Sequence, residues 1–89
     1  MGITVRIPSP LRQYTELKSE IVLEGKTVQE VLDNFKARFP DASTRFFSTR
    51  TARYMNLYVN DQDIKSLKNM DTPVGENDIL SIVFAIAGG

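Results

Sequence analysis

Two aspartates stand two positions apart in "NDQD", residues 60–63, and paired carboxylates are the first candidates for acid–base or cation chemistry. A calcium loop needs further oxygen ligands, a glycine at its sixth position and a closing glutamate, and none of these follows Asp61 and Asp63. Asn and Asp side chains bond their own backbone in turns, so the stretch reads as a solvated hairpin turn. Arg45, Arg50 and Arg53 form a local basic cluster. It suits either an acidic partner or a solvated loop, and the surface is the ordinary place for such charge. Tyr54, Tyr58, Phe46 and Phe47 offer stacking surface for single-stranded nucleic acid. Without net basic charge or a recognition motif, packing in the core and at its edge explains them better. Gly25 and Gly75 lie far apart beside turn residues, so no glycine loop cradles a phosphate.

Composition removes most of what is left. The chain has no cysteine, which excludes disulfides, thiolate nucleophiles and cysteine-held metals, and no histidine, the side chain that most readily moves protons near neutral pH. Eleven acidic and eleven basic residues cancel, leaving no bulk field to draw nucleic acid or an anionic membrane. No segment approaches the roughly 20 apolar residues of a membrane span. The start, "MGITVRIPSP", lacks the basic and apolar regions of a secretory signal, and Arg6 stands where an acylation motif wants Ser or Thr. The expectation is a cytoplasmic, soluble protein that binds no metal or cofactor of its own.

One reactive group survives this elimination, the α-carboxylate of Gly89 at the end of "FAIAGG". It is anionic at neutral pH and therefore a poor electrophile. Conversion to an acyl-adenylate makes the carbonyl attackable and supplies a leaving group. Gly88 and Gly89 lack Cβ and so pass a narrow channel, and Ala85 and Ala87 keep the approach slim. Five residues beyond Phe84 span at most about 17–18 Å, enough to enter a partner's active site while a folded body docks outside.

Elements must hold that tail. A length of 89 residues with 42% hydrophobic content sets one small globular domain, residues 1–89. "ITVRI", residues 3–7, alternates as a half-buried strand with Ile3, Val5 and Ile7 inward, and Pro8 and Pro10 end it. "KSEIVLEG", residues 18–25, reads as a second strand, joined to the first by a long hairpin loop. "TVQEVLDNFKARF" places Val28, Val31, Leu32, Phe35 and Phe39 on one helical stripe, with Thr27 and Glu30 as a capping box and Pro40 as the stop. The main helix is expected over about 28–39. Residues 41–53 read as a connection with one helical turn around 43–47. "YMNLYVNDQD" is a strand with Met55, Leu57 and Val59 on one face, and "ILSIVFAI", residues 79–86, is a strand apolar on both faces. Such a strand belongs at the centre of a sheet, paired in parallel with the first. The order β-β-α-β-β gives an α+β fold, a sheet covered by one helix.

With these elements in place the chain resembles the ubiquitin-like sulfur carriers of the MoaD and ThiS group. The resemblance covers nearly the whole length and is carried by "NLYVNDQDI", residues 56–64, and "GENDILSIVFAIAGG", residues 75–89. A Gly-x-x-Asp turn, an apolar strand and a terminal Gly-Gly, in that order, are its specific part. Within the group, "NLYVNDQDI" and "AIAGG" look most like the CysO-type carriers of cysteine synthesis. The resemblance implies the β-grasp, a mixed sheet of four to five strands. It implies that an E1-like enzyme adenylates Gly89 using ATP and magnesium, that a sulfur donor converts it to a thiocarboxylate, and that the chain is a protein cosubstrate rather than an enzyme. The expected sulfur acceptor is a cysteine-synthase-like enzyme or the molybdopterin synthase large subunit, with a metal-dependent protease as a further partner. Partner contacts are carried over to Gly88, Ala87, Ile86, Phe84 and Leu57. Phe84 departs from the proline common in molybdopterin-synthase small subunits, which points away from that alternative and towards another sulfur pathway. A protein modifier joined to lysine through Gly89, and a plain binding module, are the other readings weighed.

Overall fold

The structure, a computed structural model, describes residues 2–46 and 54–84, except for the side chains at 45 and 46. β1 (Ile3–Arg6) buries Ile3 and Val5 and turns Thr4 and Arg6 to the other face. β2 (Glu20–Leu23) runs antiparallel to it, with Ile3 opposite Leu23 and Arg6 opposite Glu20. Ile7, just past β1, is also buried, and its N–H donates to Ser19 O over 2.8 Å. The loop expected between these strands contains a short helix, α1 (Ser9–Arg12), which sequence periodicity does not reveal. Pro10 sits in its first turn, where a missing N–H leaves no bond unmade. Leu11 is buried beneath it.

α2 (Val28–Arg38) forms as its stripe and cap predict. Thr27 Oγ1 accepts from the Glu30 N–H over 3.2 Å, while Glu30 Oε1 accepts from Lys26 N–H over 3.0 Å rather than from the N-cap residue itself. Val28, Val31, Leu32 and Phe35 are all buried against the sheet, and Phe39, also buried, stacks at a tilt on Phe35 with ring centroids 5.3 Å apart. Gly25 precedes the helix because a Cβ there would lie 2.7 Å from Val31 N. Pro40 does end α2, but it also opens α3 (Pro40–Phe46) as that helix's first residue. The single helical turn expected around 43–47 is thus a seven-residue helix held by buried Ala42, and residues 47–53 lie outside the described residues.

β3 (Met55–Val59) turns at Asn60 and Asp61 into the two-residue β4 (Gln62–Asp63), with Asn60 at a φ of 57°. Asn is one of the few residues that tolerate this left-handed backbone. Two 3-10 turns (Ile64–Ser66 and Asn69–Asp71) then lead to β5 (Ile79–Phe84). Strand order is β2-β1-β5-β3-β4, so β5 is central, parallel to β1 and antiparallel to β3. Its fully buried Leu80 and nearly buried Ile82 meet α2's side of the sheet. Each such side chain contributes about 1.5–3 kcal/mol by leaving water. Among the described residues no helix is long and apolar enough to cross a membrane.

Candidate functional site

The path to the expected reactive group runs along β5. Its start is fixed by a polar knot. Asp78 Oδ2 accepts from Gly75 N–H over 2.8 Å, and Asp78 N–H donates to Gly75 O over 2.9 Å, closing the Gly-x-x-Asp turn. Asp78 Oδ1 accepts from Asn60 Nδ2 over 3.0 Å, and Asn60 Oδ1 accepts from Ile79 N–H over 3.1 Å. The sequence marked Gly75 and Asp78 as a turn but gave no sign that Asn60 reaches across to them. Their union ties the β3–β4 turn to the first residue of β5. From there β5 runs between β1 and β3 to Phe84, whose register partner is Met55.

Phe84 is half-buried and packs against the core, so it anchors the end of the described strand. Gly89, Gly88, Ala87 and Ile86 follow it in sequence and lie outside the described residues. Leu57 corrects an expectation. It faces inward at 6% exposure, in register with Ile82, so it belongs to the core and presents almost no surface to a partner. Alternation explains this: Leu57 shares its face with Val59, and both must point to the same side of the sheet. The exposed apolar neighbour is Val83, at 41% exposure, which lies outward between the inward Ile82 and Phe84. That position was readable from the alternation of β5 once its inward residues are known.

An open groove of about 640 Å³ adjoins the same end of β5. One wall is Arg6 of β1, Pro8 between the elements and Arg12 of α1; the other is Ile82, Val83 and Phe84. Arg12 Nε donates to Ile7 O over 3.1 Å, which fixes the guanidinium at the groove's rim. Tyr54, exposed, immediately precedes the Met55 that pairs with Phe84.

The other candidates take structural positions. Asp63 Oδ1 accepts from Lys65 N–H over 2.9 Å and caps the 3-10 turn, and Asp61 is exposed in the hairpin turn. Among the described residues, no cluster of three or more His, Cys, Asp or Glu side chains is placed to hold a metal ion. Tyr58 is half-buried and pairs across the sheet with Ser81. Phe47, Arg50 and Arg53 lie outside the described residues, as do the side chains of Arg45 and Phe46.

A mixed five-stranded sheet wrapped on one long helix, with a central last strand leading toward Gly-Gly, defines a ubiquitin-like β-grasp domain. A CysO-containing crystal structure, the Amycolatopsis orientalis BexX/CysO complex, matches with a TM-score of 0.85 at 33% identity, covering 98% of this chain and 99% of that one. Mycobacterium tuberculosis CysO matches with a TM-score of 0.82 at 27% identity, over 94% of this chain and 99% of that one. The small archaeal modifier protein 1 of Methanosarcina acetivorans shares the fold, with a TM-score of 0.83 at 21% identity over 99% of this chain and 96% of that one. In sequence, the sulfur carrier protein CysO of M. tuberculosis is 30% identical across 100% of both chains. The ThiS family matches residues 5–89, and the chain belongs to that family.

Proposed function

We propose that this chain is a CysO-type sulfur carrier whose reactive group is the Gly89 carboxylate. The observation that supports it most is the family match, which runs through Gly88 to residue 89 and so includes the Gly-Gly end. A carboxylate oxygen of Gly89 attacks the α-phosphorus of ATP on an E1-like enzyme, expelling pyrophosphate and leaving an acyl-adenylate. A sulfur nucleophile then adds to the acyl carbon and displaces AMP, and the resulting thiocarboxylate carries sulfur to an accepting enzyme. ATP and magnesium belong to the adenylating enzyme. The chain supplies the carboxylate, a slim approach to it and a folded body to be recognised, and it is a protein cosubstrate. The name borne by its relatives supports cysteine synthesis as the destination, with a cysteine-synthase-like acceptor. The solved BexX/CysO complex supports the idea that such a carrier body docks on a partner protein.

The absence of cysteine makes the test direct. The purified chain is incubated with its adenylating enzyme, ATP, magnesium and a sulfide source, then treated with a thiol-alkylating probe. Label on this chain, with the intact-mass gain of one oxygen-to-sulfur exchange, is the expected result. The label separates a thiocarboxylate from oxidation of a methionine, which adds similar mass but no thiol. An unlabelled chain overturns the carrier reading, and an isopeptide from Gly89 to lysine in its place identifies a protein modifier.

A further inference from the structure

Residues 13–19 connect α1 to β2 and contain an energetic anomaly. Glu16 and Leu17 are consecutive non-glycine residues at φ values of 58° and 63°, a backbone region that Cβ disfavours. The strain is held by bonds converging on one carbonyl. Arg12 O accepts from Leu17 N–H over 2.8 Å and Thr15 N–H over 3.1 Å, and the hydroxyl of buried Thr15 lies 3.3 Å from it and 3.2 Å from Lys18 O. The result is that Leu17 stands 81% exposed. A leucine is poorly suited to such a backbone and gains nothing from water, so neither folding nor solubility explains its presence there.

Its place in the fold supplies a reason. β1 and β5 are parallel, so the β1–β2 connection lies at the end of the sheet where β5 finishes at Phe84. Leu17 shares that end with Arg12, Val83 and Tyr54. Among the described residues Arg12 has no carboxylate within ion-pairing distance, and Arg6 beside it pairs with Glu20, 3.4 Å away on an exposed edge. Such a pair is weak and open to exchange. Glu16, next to Leu17, pairs with Lys18 over 3.4 Å, so the cations Arg6, Arg12 and Lys18 outnumber Glu16 and Glu20 here, whereas Asp61, Glu76 and Asp78 flank the start of β5 at the opposite end.

We propose that Leu17 is the apolar anchor, and Arg12 and Arg6 the charged rim, of a docking surface for the adenylating enzyme, which meets them with an apolar pocket edged by carboxylates. This rests on the sulfur-carrier reading. An enzyme whose channel receives Gly89 must sit within about 17–18 Å of Phe84, and so covers this end of the domain. Interfaces commonly pair an apolar core with a polar rim, and rim charges speed encounter with an oppositely charged surface.

The test is steady-state ATP–pyrophosphate exchange by the adenylating enzyme with full-length wild-type chain and with Leu17→Asn, Leu17→Met, Arg12→Glu, Arg6→Gln and Glu76→Lys. Asn tolerates the left-handed backbone, so Leu17→Asn is expected to melt no lower than wild type while raising the KM for the carrier about tenfold at unchanged kcat. Leu17→Met keeps the wild-type KM. Arg12→Glu raises KM further, most at low salt. Because Arg12 Nε also bonds Ile7 O, Arg6→Gln reads the rim without disturbing that bond, and it raises KM by a smaller factor. Glu76→Lys, at the far end, leaves KM unchanged. An unmoved KM for Leu17→Asn, or a loss confined to the later sulfur-transfer step, overturns the docking surface while leaving the carrier reading intact. Absence of exchange with the wild-type chain overturns both.

Discussion

Asn60 Nδ2 donates to Asp78 Oδ1 over 3.0 Å across a separation of 18 residues, and with the bonds between Asn60 and Ile79 this contact locks the hairpin turn to the beginning of the central strand. Asp78 serves the Gly75 turn with its other oxygen, and Asn60 serves Ile79 with its own carbonyl. The pair therefore holds the register that puts Leu80 and Ile82 inward. A slip by one residue would turn both to solvent. Asp78→Ala removes two charge-assisted bonds and is expected to lower unfolding free energy by about 1.5–3 kcal/mol in urea denaturation, with m unchanged. Asn60→Gly is expected to cost less than Asn60→Ala, since glycine keeps the φ of 57° without strain. If the two Asn60 variants are equally destabilised, backbone conformation is not what selects Asn there.

Leu57 and Val83 sit on neighbouring strands but on opposite faces, and their substitutions should separate folding from recognition. Leu57→Ala opens a cavity beside Ile82 and is expected to lose about 2–5 kcal/mol. Leu57→Asp buries an unpaired charge and is expected to leave no cooperative thermal transition. Val83→Asp faces solvent and keeps the melting temperature within a few degrees of wild type. Circular dichroism melts of the three variants check this ordering, and a stable Leu57→Asp protein would contradict the inward placement of Leu57.

Elements with a strong period were legible in the sequence. Ile3, Val5 and Ile7 alternate; Val28, Val31, Leu32 and Phe35 repeat at helical spacing; the doubly apolar β5 announces a central strand. α1 was hidden because four residues carry no period, and Pro8 and Pro10 read as a break rather than a helix start. α3 was hidden by the same ambiguity at Pro40, which ends one helix and begins the next. Gly88 and Gly89 stood out in the sequence because elimination left no other reactive group, and both lie outside the described residues. Alternation places Leu57 on one face with Val59, as the structure has it; its role as partner-facing surface came from the resemblance, and burial opposite Ile82 leaves it almost no surface to offer. Leu17 gave no signal, because nothing in "YTELK" reveals two consecutive left-handed residues.

The cap of α2 offers a local test of how much of that helix its first turn supports. Thr27→Ala removes the acceptor for Glu30 N–H and is expected to cost about 1 kcal/mol. Glu30→Ala releases the Lys26 N–H into solvent and is expected to cost less, because that bond is exposed. Chemical denaturation of both single variants and the double variant measures the coupling. Strict additivity would show that the two halves of this shifted capping box act independently.

Deleting Gly88 and Gly89 tests whether the reactive end is energetically separate from the domain that bears it. Every buried hydrophobic residue described lies between Ile3 and Ile82, and the half-buried Phe84 that closes β5 is untouched by the deletion. The truncated chain is therefore expected to melt as wild type does. It is also expected to gain no thiol label from the adenylating enzyme and sulfide, because its terminal carboxylate, now on Ala87, stops about 7 Å short of the reacting centre at a spacing of up to ~3.6 Å per residue. It should still compete with the wild-type chain for that enzyme, since its docking surface is intact. Labelling of the truncated chain at the wild-type rate would remove Gly89 from the chemistry. A fall in melting temperature would instead give the terminal glycines a part in the fold.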